Sequence, residues 1–204
     1  MQTWDKFLRN RIECLFANKR TVIDIGGGLR IRRDRGSRYD PDRNWAELLA
    51  EKTDYKILDP VSTFKPDIVG DIHALPFEDN SEEAIICMSV LEHVEDPRKA
   101  VGELYRVLKP GGQCFVYVPF LFYYHSEEGY YKDYWRFTHD TIALLFKNFS
   151  TIEVEPVRGP LATWLHISPL GRIKPLVILF NLLDKIFDKT SSHQVSGYYV
   201  FLTK

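Results

Sequence analysis

TVIDIGGG, Thr21 to Gly28, is the stretch on which the reading of this chain turns. Val22, Ile23 and Ile25 form a short apolar run, and such a run closed by glycine reads as a buried parallel strand. Gly26, Gly27 and Gly28 then allow a tight turn and a close approach of the backbone to a ligand, with no Cβ in the way. A strand followed by a plain glycine turn explains the same residues, so the flanking sequence has to choose. Asp24 lies inside the strand, where an unpaired carboxylate is costly, so it needs loop N–H groups or a ligand ammonium as partner.

On the N-terminal side, Trp4, Phe7, Leu8, Ile12, Leu15 and Phe16 recur at three- and four-residue steps and predict an amphipathic helix within residues 1–20, packed at the sheet edge. On the other side WAELLAE reads as a helix, YKILDP as a strand ending at Asp59, DIVGDIHALPF as a short strand ending near Asp71, and EEAIICMSV as a fourth strand. DPRKAVGELYRVLKPGG opens on an Asp-Pro cap and stops at Pro110-Gly111-Gly112. QCFVYVPF is a fifth strand, THDTIALLFKNF a helix capped by Thr138, and TIEVEPV and GYYVFLTK two further strands. Strands alternating with helices demand a mostly parallel, Rossmann-like doubly wound α/β sheet covered on both faces, because each parallel crossover needs a helix. The last pair, separated by a longer excursion, can close as an antiparallel hairpin.

The 204 residues fit one domain, 1–204, and the formal charge of -1 argues against DNA or RNA as the main partner. Arg30, Arg32, Arg33, Arg35, Arg38 and Arg43 nevertheless crowd the segment behind the glycines, which reads either as a solvated loop or as an anion-binding one. Cys14, Cys87 and Cys114 are widely spaced and read as free thiols of a reducing compartment. No His/Cys/Asp cluster has metal-ligand spacing, so no metal is expected. The charged N-terminal stretch has no signal core, and no apolar run reaches the ~18 residues of a membrane span, so a soluble cytoplasmic protein is expected. Residues 158–196, with an apolar stripe at Leu176, Leu179, Phe180, Leu183, Ile186 and Phe187, read as an insertion before the last strand: a lid, a homodimer interface, or a peripheral membrane contact.

In an open α/β sheet the ligand lies outside the carboxyl ends of the strands, here Gly26 to Gly28, Asp59, Asp71 and the corner from Ser89 to His93. Asp59 is placed to accept both hydroxyls of a ribose. Asp71 suits an exocyclic amine of adenine, with Ile72 and Leu75 against the ring. Arg30 stands where a third loop glycine would serve a pyrophosphate, so an uncharged nucleoside fits better than a dinucleotide.

DIGGG, LDP, GDIHALPFEDN, SVLEHVEDP and VLKPGG, in this order and spacing, resemble the class I S-adenosylmethionine-dependent methyltransferases of the type 11 group, over roughly Thr21 to Phe149. The resemblance implies a seven-stranded sheet with the last strand antiparallel, and S-adenosyl-L-methionine as cofactor with S-adenosyl-L-homocysteine as product. It implies that Asp24 and Gly26 to Gly28 hold the methionine end, Asp59 the ribose, and Asp71 with Ile72 the adenine, while Ser89 and Leu91 to His93 border the sulfonium. Arg30 and the long Arg-rich segment depart from the family pattern and bear on the shape of the first loop. VPFLFYYHSEEGYYKDYWRFT further resembles a segment of bacterial and archaeal methyltransferases often encoded among surface-polysaccharide genes. It brings His125, Tyr130, Asp133, Tyr134, Trp135 and Arg136 to the acceptor side, although Trp135 and Phe137 also read as core anchors and Asp133 as the partner of Arg136.

Methyl transfer from a sulfonium is an in-line displacement, so the main task is to position the nucleophile. For a hydroxyl acceptor a general base helps; His125 and His93 are the candidates, with Tyr134 beside them and Glu92 to orient or polarise. His93 also reads as a corner histidine bonding backbone. The expected function is methyl transfer to a small-molecule or glycan hydroxyl. An RNA-modifying methyltransferase and an inactive nucleoside-binding scaffold are the alternatives.

Overall fold

The structure is a computed structural model that describes all residues but Met1, Asp188, Thr190 and Ser191, and only the backbone at 36 and 37. Seven strands, β1 (Thr21–Ile25), β2 (Asp54–Asp59), β3 (Ile68–Val69), β4 (Glu82–Met88), β5 (Leu108–Pro119), β6 (Thr151–Val157) and β7 (Gly197–Thr203), form one sheet in the order β3-β2-β1-β4-β5-β7-β6. β7 runs antiparallel to both β5 and β6, and the remaining pairs are parallel. The apolar strand runs follow from this arrangement. In β4, Ile85 and Cys87 join the core on one face while Ala84, Ile86 and Met88 join the other, so every position from Ala84 to Met88 is buried.

The first core is covered by α3 (Pro97–Val107) and α4 (His139–Leu145), through Leu104, Val107, Ile142 and the adjacent Phe146. Asp96 caps α3 by accepting from the N–H groups of Arg98 and Lys99, and Thr138 caps α4. The second core is covered by α1 (Thr3–Asn18) and α2 (Asn44–Ala50). α1 lies on the sheet face instead of at its edge: Ile12, Leu15 and Phe16 are buried in the cluster that holds Phe115, Tyr199 and Phe201, which an edge position could not cover. β5 starts at Leu108, earlier than its apolar run suggests, because Leu108 already pairs with Glu82 across an irregularity in the ladder.

Between β6 and β7 stand α5 (Pro160–Ile167) and α6 (Lys174–Ile186); residues 188, 190 and 191 of that segment lie outside the described ones. Asp184 of α6 is buried and caps α5, accepting from the N–H groups of Leu161 and Ala162 at 3.0 and 2.9 Å. A Cβ on Gly159 would lie 2.4 Å from the Asp184 carboxyl carbon, so glycine is required for this close approach. The buried residues of α6 are Asn181 and Asp184, whereas Ile178, Leu179, Leu182 and Ile186 are exposed. The helix therefore presents apolar side chains outward. No helix among the described residues is long and apolar enough to cross a membrane.

Candidate active site

The carboxyl ends of β1, β2, β4 and β5 open on a cleft of about 1490 Å³. That exceeds the ~300–1,000 Å³ of a typical single-ligand site and leaves room for two molecules side by side.

One wall gathers Gly26 to Gly28, Asp59 and Asp71, the strand-end residues expected from the sequence to face a nucleoside. Gly26 and Gly27 have φ of +75° and +62°, and a Cβ on Gly28 would sit 2.3 Å from the Met88 carbonyl oxygen, so the loop needs its glycines. Arg30 adopts the left-handed conformation, φ 59°, that a third glycine would take freely. Asp24 is fully buried and accepts from Gly28 N–H at 3.1 Å, Leu29 N–H at 3.0 Å and the Tyr55 hydroxyl at 2.6 Å. It lies beneath the cleft lining and braces the loop through those N–H groups, one of the two kinds of partner its place in the strand called for. Burial lifts its pKa from 3.8 to about 6 against the pull of these bonds.

Asp59, at the tip of β2, lines the cleft and is held by Val61 N–H at 2.9 Å and the Arg35 guanidinium at 3.3 Å; burial raises its pKa. Asp71 and Ile72 also line the cleft, whereas Leu75 is in the core and gives its N–H to Glu103. Asp71 accepts from the backbone and ring of His73, both at 2.8 Å. The Arg-rich segment has most of its arginines paired within the fold, and Arg30, Arg38 and Arg43 line the cleft. It folds as two short 3-10 turns, Arg33–Arg38 and Pro41–Arg43. Arg32, just ahead of them, pairs with Asp34 and Asp67; within them Arg33 pairs with Glu47, Arg38 with Glu127, and Arg43 donates to the Gly28 carbonyl. Arg35 is buried between Asp59 and the Phe64 carbonyl. Sequence reasoning missed Arg35 and Tyr55; the density of arginines was a signal for the first, and nothing marked the second.

The opposite wall begins at Ser89, φ 55°, and the 3-10 turn Leu91–His93. The Glu92 backbone carbonyl accepts from the N–H groups of Tyr134 and Trp135 at 2.8 and 3.2 Å, which docks the DYWRFT loop on this corner. Asp133, Trp135 and Arg136, expected on the acceptor side, stand behind the residues that line the cleft. Arg136 forks onto Asp133 at 2.5 and 2.7 Å and holds that carboxyl down at about 2. Trp135 donates its ring N–H to Val94 at 2.8 Å from an exposed position. Phe137 is the buried anchor of the loop. Tyr130 and Tyr134 remain on the cleft, Tyr130 against Phe64 and Tyr134 with its hydroxyl toward Glu95.

His93 and His125 meet in the cleft with ring centroids 4.8 Å apart. His93 Nδ1 lies 2.6 Å from the Lys132 carbonyl, and His125 Nδ1 lies 3.1 Å from the Tyr123 carbonyl and 3.2 Å from Asp133. A carbonyl only accepts, so each Nδ1 carries the hydrogen and each Nε2 is directed elsewhere. Those Nε2 atoms stand 3.9 and 3.7 Å from Glu92 Oε1. Glu92 is fully buried, with no hydrogen-bond partner for either carboxylate oxygen among the described residues. Its proximity raises the His125 pKa against the opposing effect of burial. Donor atoms of Glu92, His93 and His125 all lie within 4.8 Å of one another, a grouping that spacing along the chain could not reveal. His139, in the first turn of α4, lies instead beside His193.

None of the described residues of α5 or α6 lines the cleft, whereas Arg158, just ahead of α5, does. α5 reaches it only indirectly, through His166 against Phe122 and Tyr123.

The sheet order, the antiparallel β7 and the cleft at the strand ends define a Rossmann-like methyltransferase fold. Residues 38–116 match the family described as Methyltransf_11, a methyltransferase domain. A demethylmenaquinone methyltransferase of Renibacterium salmoninarum is 47% identical over 55 residues, 26% of this chain and 23% of that one. A ubiquinone/menaquinone biosynthesis C-methyltransferase of Enterobacter is 30% identical over 122 residues, 55% of this chain and 47% of that one. The chain thus spans less than half the length of these two relatives. A SAM-dependent methyltransferase from Archaeoglobus fulgidus shares the fold over 98% of this chain and 92% of its own, with TM-score 0.61 at 14% identity. A Burkholderia thailandensis 1,6-didemethyltoxoflavin-N1-methyltransferase, solved with bound 1,6-didemethyltoxoflavin and S-adenosylhomocysteine, does so over 96% and 75%, with TM-score 0.55 at 13% identity.

Proposed function

We propose that the protein is an S-adenosylmethionine-dependent methyltransferase that methylates a hydroxyl of a small-molecule or glycan acceptor. The observation that carries this reading is a single cleft with two unlike walls: glycines and carboxylates at the strand ends on one side, aromatic rings and a Glu/His cluster on the other.

The residues fit the cofactor. Asp59 accepts two hydrogen bonds within the protein, from Val61 and Arg35. A carboxylate has about four lone-pair sites, so capacity remains for a ribose diol. Gly26 to Gly28 would take the methionine end on a loop braced by Asp24, and Asp71 with Ile72 the adenine. When bound, the cofactor supplies an electrophilic methyl on a good leaving group.

Tyr130 and Tyr134 offer partly exposed faces to an acceptor ring, and holding it in line is worth several kcal/mol. Glu92, His93 and His125 are the grouped acid and imidazoles on that wall able to serve the acceptor hydroxyl's proton, and the Asp133–Arg136 pair fixes the loop that carries His125. RNA modification loses its main support, because the arginines meant to bind phosphates are engaged within the fold. A lipid-linked acceptor agrees with the exposed apolar side chains of α6, flanked by Arg172, Lys174 and Lys185. Calorimetry with S-adenosylhomocysteine, followed by mass spectrometry of candidate glycosides, tests the reading; no binding of S-adenosylhomocysteine would refute it.

A further inference from the structure

Glu92 poses a problem that methyl transfer alone does not solve. Its side chain is fully buried, and neither oxygen has a hydrogen-bond partner among the described residues. A buried carboxylate in that state is costly unless a cation or a proton compensates it. Both neighbouring imidazoles turn an Nε2 toward it, at 3.9 Å from His93 and 3.7 Å from His125. With each Nδ1–H committed to an acceptor, neutral rings bring two lone pairs and an anion together, which is repulsive without something positive between them.

We propose that Glu92, His93 and His125 form a binding site for a divalent transition-metal ion on the acceptor side of the cleft. Two imidazoles and one carboxylate are a donor set for zinc-like ions, and three protein ligands leave a position open for an exogenous oxygen. Bonds of about 2.0–2.2 Å at tetrahedral angles put ligand atoms ~3.3–3.6 Å apart. The two Glu92–imidazole spacings need to contract by well under 1 Å to reach that, and the widest spacing in the group, within 4.8 Å, by about 1.2–1.5 Å at most. The outer contacts are already in place: His125 Nδ1 faces Asp133 Oδ2 and the Tyr123 carbonyl, His93 Nδ1 the Lys132 carbonyl, an arrangement that orients metal-binding imidazoles. All three ligands line the cleft, so the open position faces the acceptor half. The ion would there bind the acceptor's hydroxyl or a vicinal pair of oxygens; that role rests on the methyltransferase reading, whereas ion binding itself does not.

The test uses Co²⁺ and Zn²⁺ on the whole chain, with neither cofactor nor acceptor present. His139 and His193, 4.6 Å apart, could collect metal on their own, so titrations are run in a His139→Ala background. One Co²⁺ per chain should bind below about 10 µM, with visible bands of a four- or five-coordinate ion that Zn²⁺ displaces. Glu92→Gln and His93→Ala should each weaken binding at least tenfold, with melting temperatures confirming that each variant folds. Either variant that folds is sufficient for this comparison. No stoichiometric binding, or binding that survives both substitutions, would overturn the proposal. S-adenosylhomocysteine affinity is measured separately on the same preparation. Its retention without metal binding would sink this inference alone, and metal binding without it would sink the methyltransferase reading instead.

Discussion

Replacing Tyr55 by Phe tests the support beneath the glycine loop. The Tyr55 hydroxyl donates to Asp24 Oδ2 at 2.6 Å, where the carboxylate has no access to solvent. Burial lifts that carboxyl from 3.8 to about 6, so at 1.36 kcal/mol per unit its ionised form costs the fold on the order of 3 kcal/mol. Because the folded value lies above the unfolded one, the contribution of Asp24 to stability is greatest below about pH 4 and is lost as pH rises through 6. Removing the hydroxyl takes away a bond that holds the folded value down, so the loss extends to higher pH. The ionised carboxylate forfeits about 1.5–3 kcal/mol, the protonated carboxyl about 0.5–1.5 kcal/mol. Urea denaturation of wild type and Tyr55→Phe at pH 5 and pH 8 should show a destabilisation larger at pH 8 by about 1 kcal/mol or more. Equal destabilisation at the two pH values would refute the reasoning and assign the effect to packing of the ring.

Asp59→Asn should weaken S-adenosylhomocysteine binding at least tenfold by calorimetry; unchanged affinity would remove Asp59 from the ribose site. Gly27→Ala would place a Cβ 1.6 Å from Arg35 Nη1 at a φ of +62°, and a fall in stability of about 1–3 kcal/mol or more should appear in chemical denaturation. Arg136→Lys cannot keep the two-pronged contact with Asp133, so turnover should fall while cofactor affinity stays within about 0.5 kcal/mol of wild type. A parallel loss of cofactor binding would mean that the loop supports the other wall too. Ile178→Glu with Leu182→Glu should leave the melting temperature unchanged and abolish cosedimentation with anionic vesicles; wild type that fails to cosediment removes the membrane contact.

The sheet was legible from the chain because its strands are buried on both sides: runs such as EEAIICM leave few other conformations for so many apolar residues. The wall of glycines and carboxylates was legible for a related reason, since glycines and acids at strand ends are local features with few roles there. The other wall was not. Asp133, Trp135 and Arg136 carry chemistry-bearing groups, but whether such groups face a ligand or one another depends on how a loop docks, here through the Glu92 carbonyl. The Glu92–His93–His125 grouping joins residues from separate segments and appears only once that loop is in place. α6 misled in the opposite sense. Its apolar stripe suggested a packed face, yet the side chains buried are Asn181 and Asp184, because Asp184 has to reach the free N–H groups of α5.

The placement of β7 between β5 and β6 also sets a timetable for synthesis on the ribosome. Gly197–Thr203 bonds to Gln113–Pro119 on one side and Thr151–Val157 on the other, so β6 has no partner strand until the last of these segments has emerged. The half-sheet β3-β2-β1-β4-β5, which carries the glycine loop and Asp59, is complete in sequence long before that. The start of the acceptor-side loop is tied down late, through the N–H groups of Phe120 and Leu121 on the carbonyls of Ser196 and Val195. A nascent chain therefore has the glycine loop and the strand-end acids in place before the loop on the opposite wall is anchored, and meanwhile exposes the open edge of β5 to chaperones or to other nascent chains.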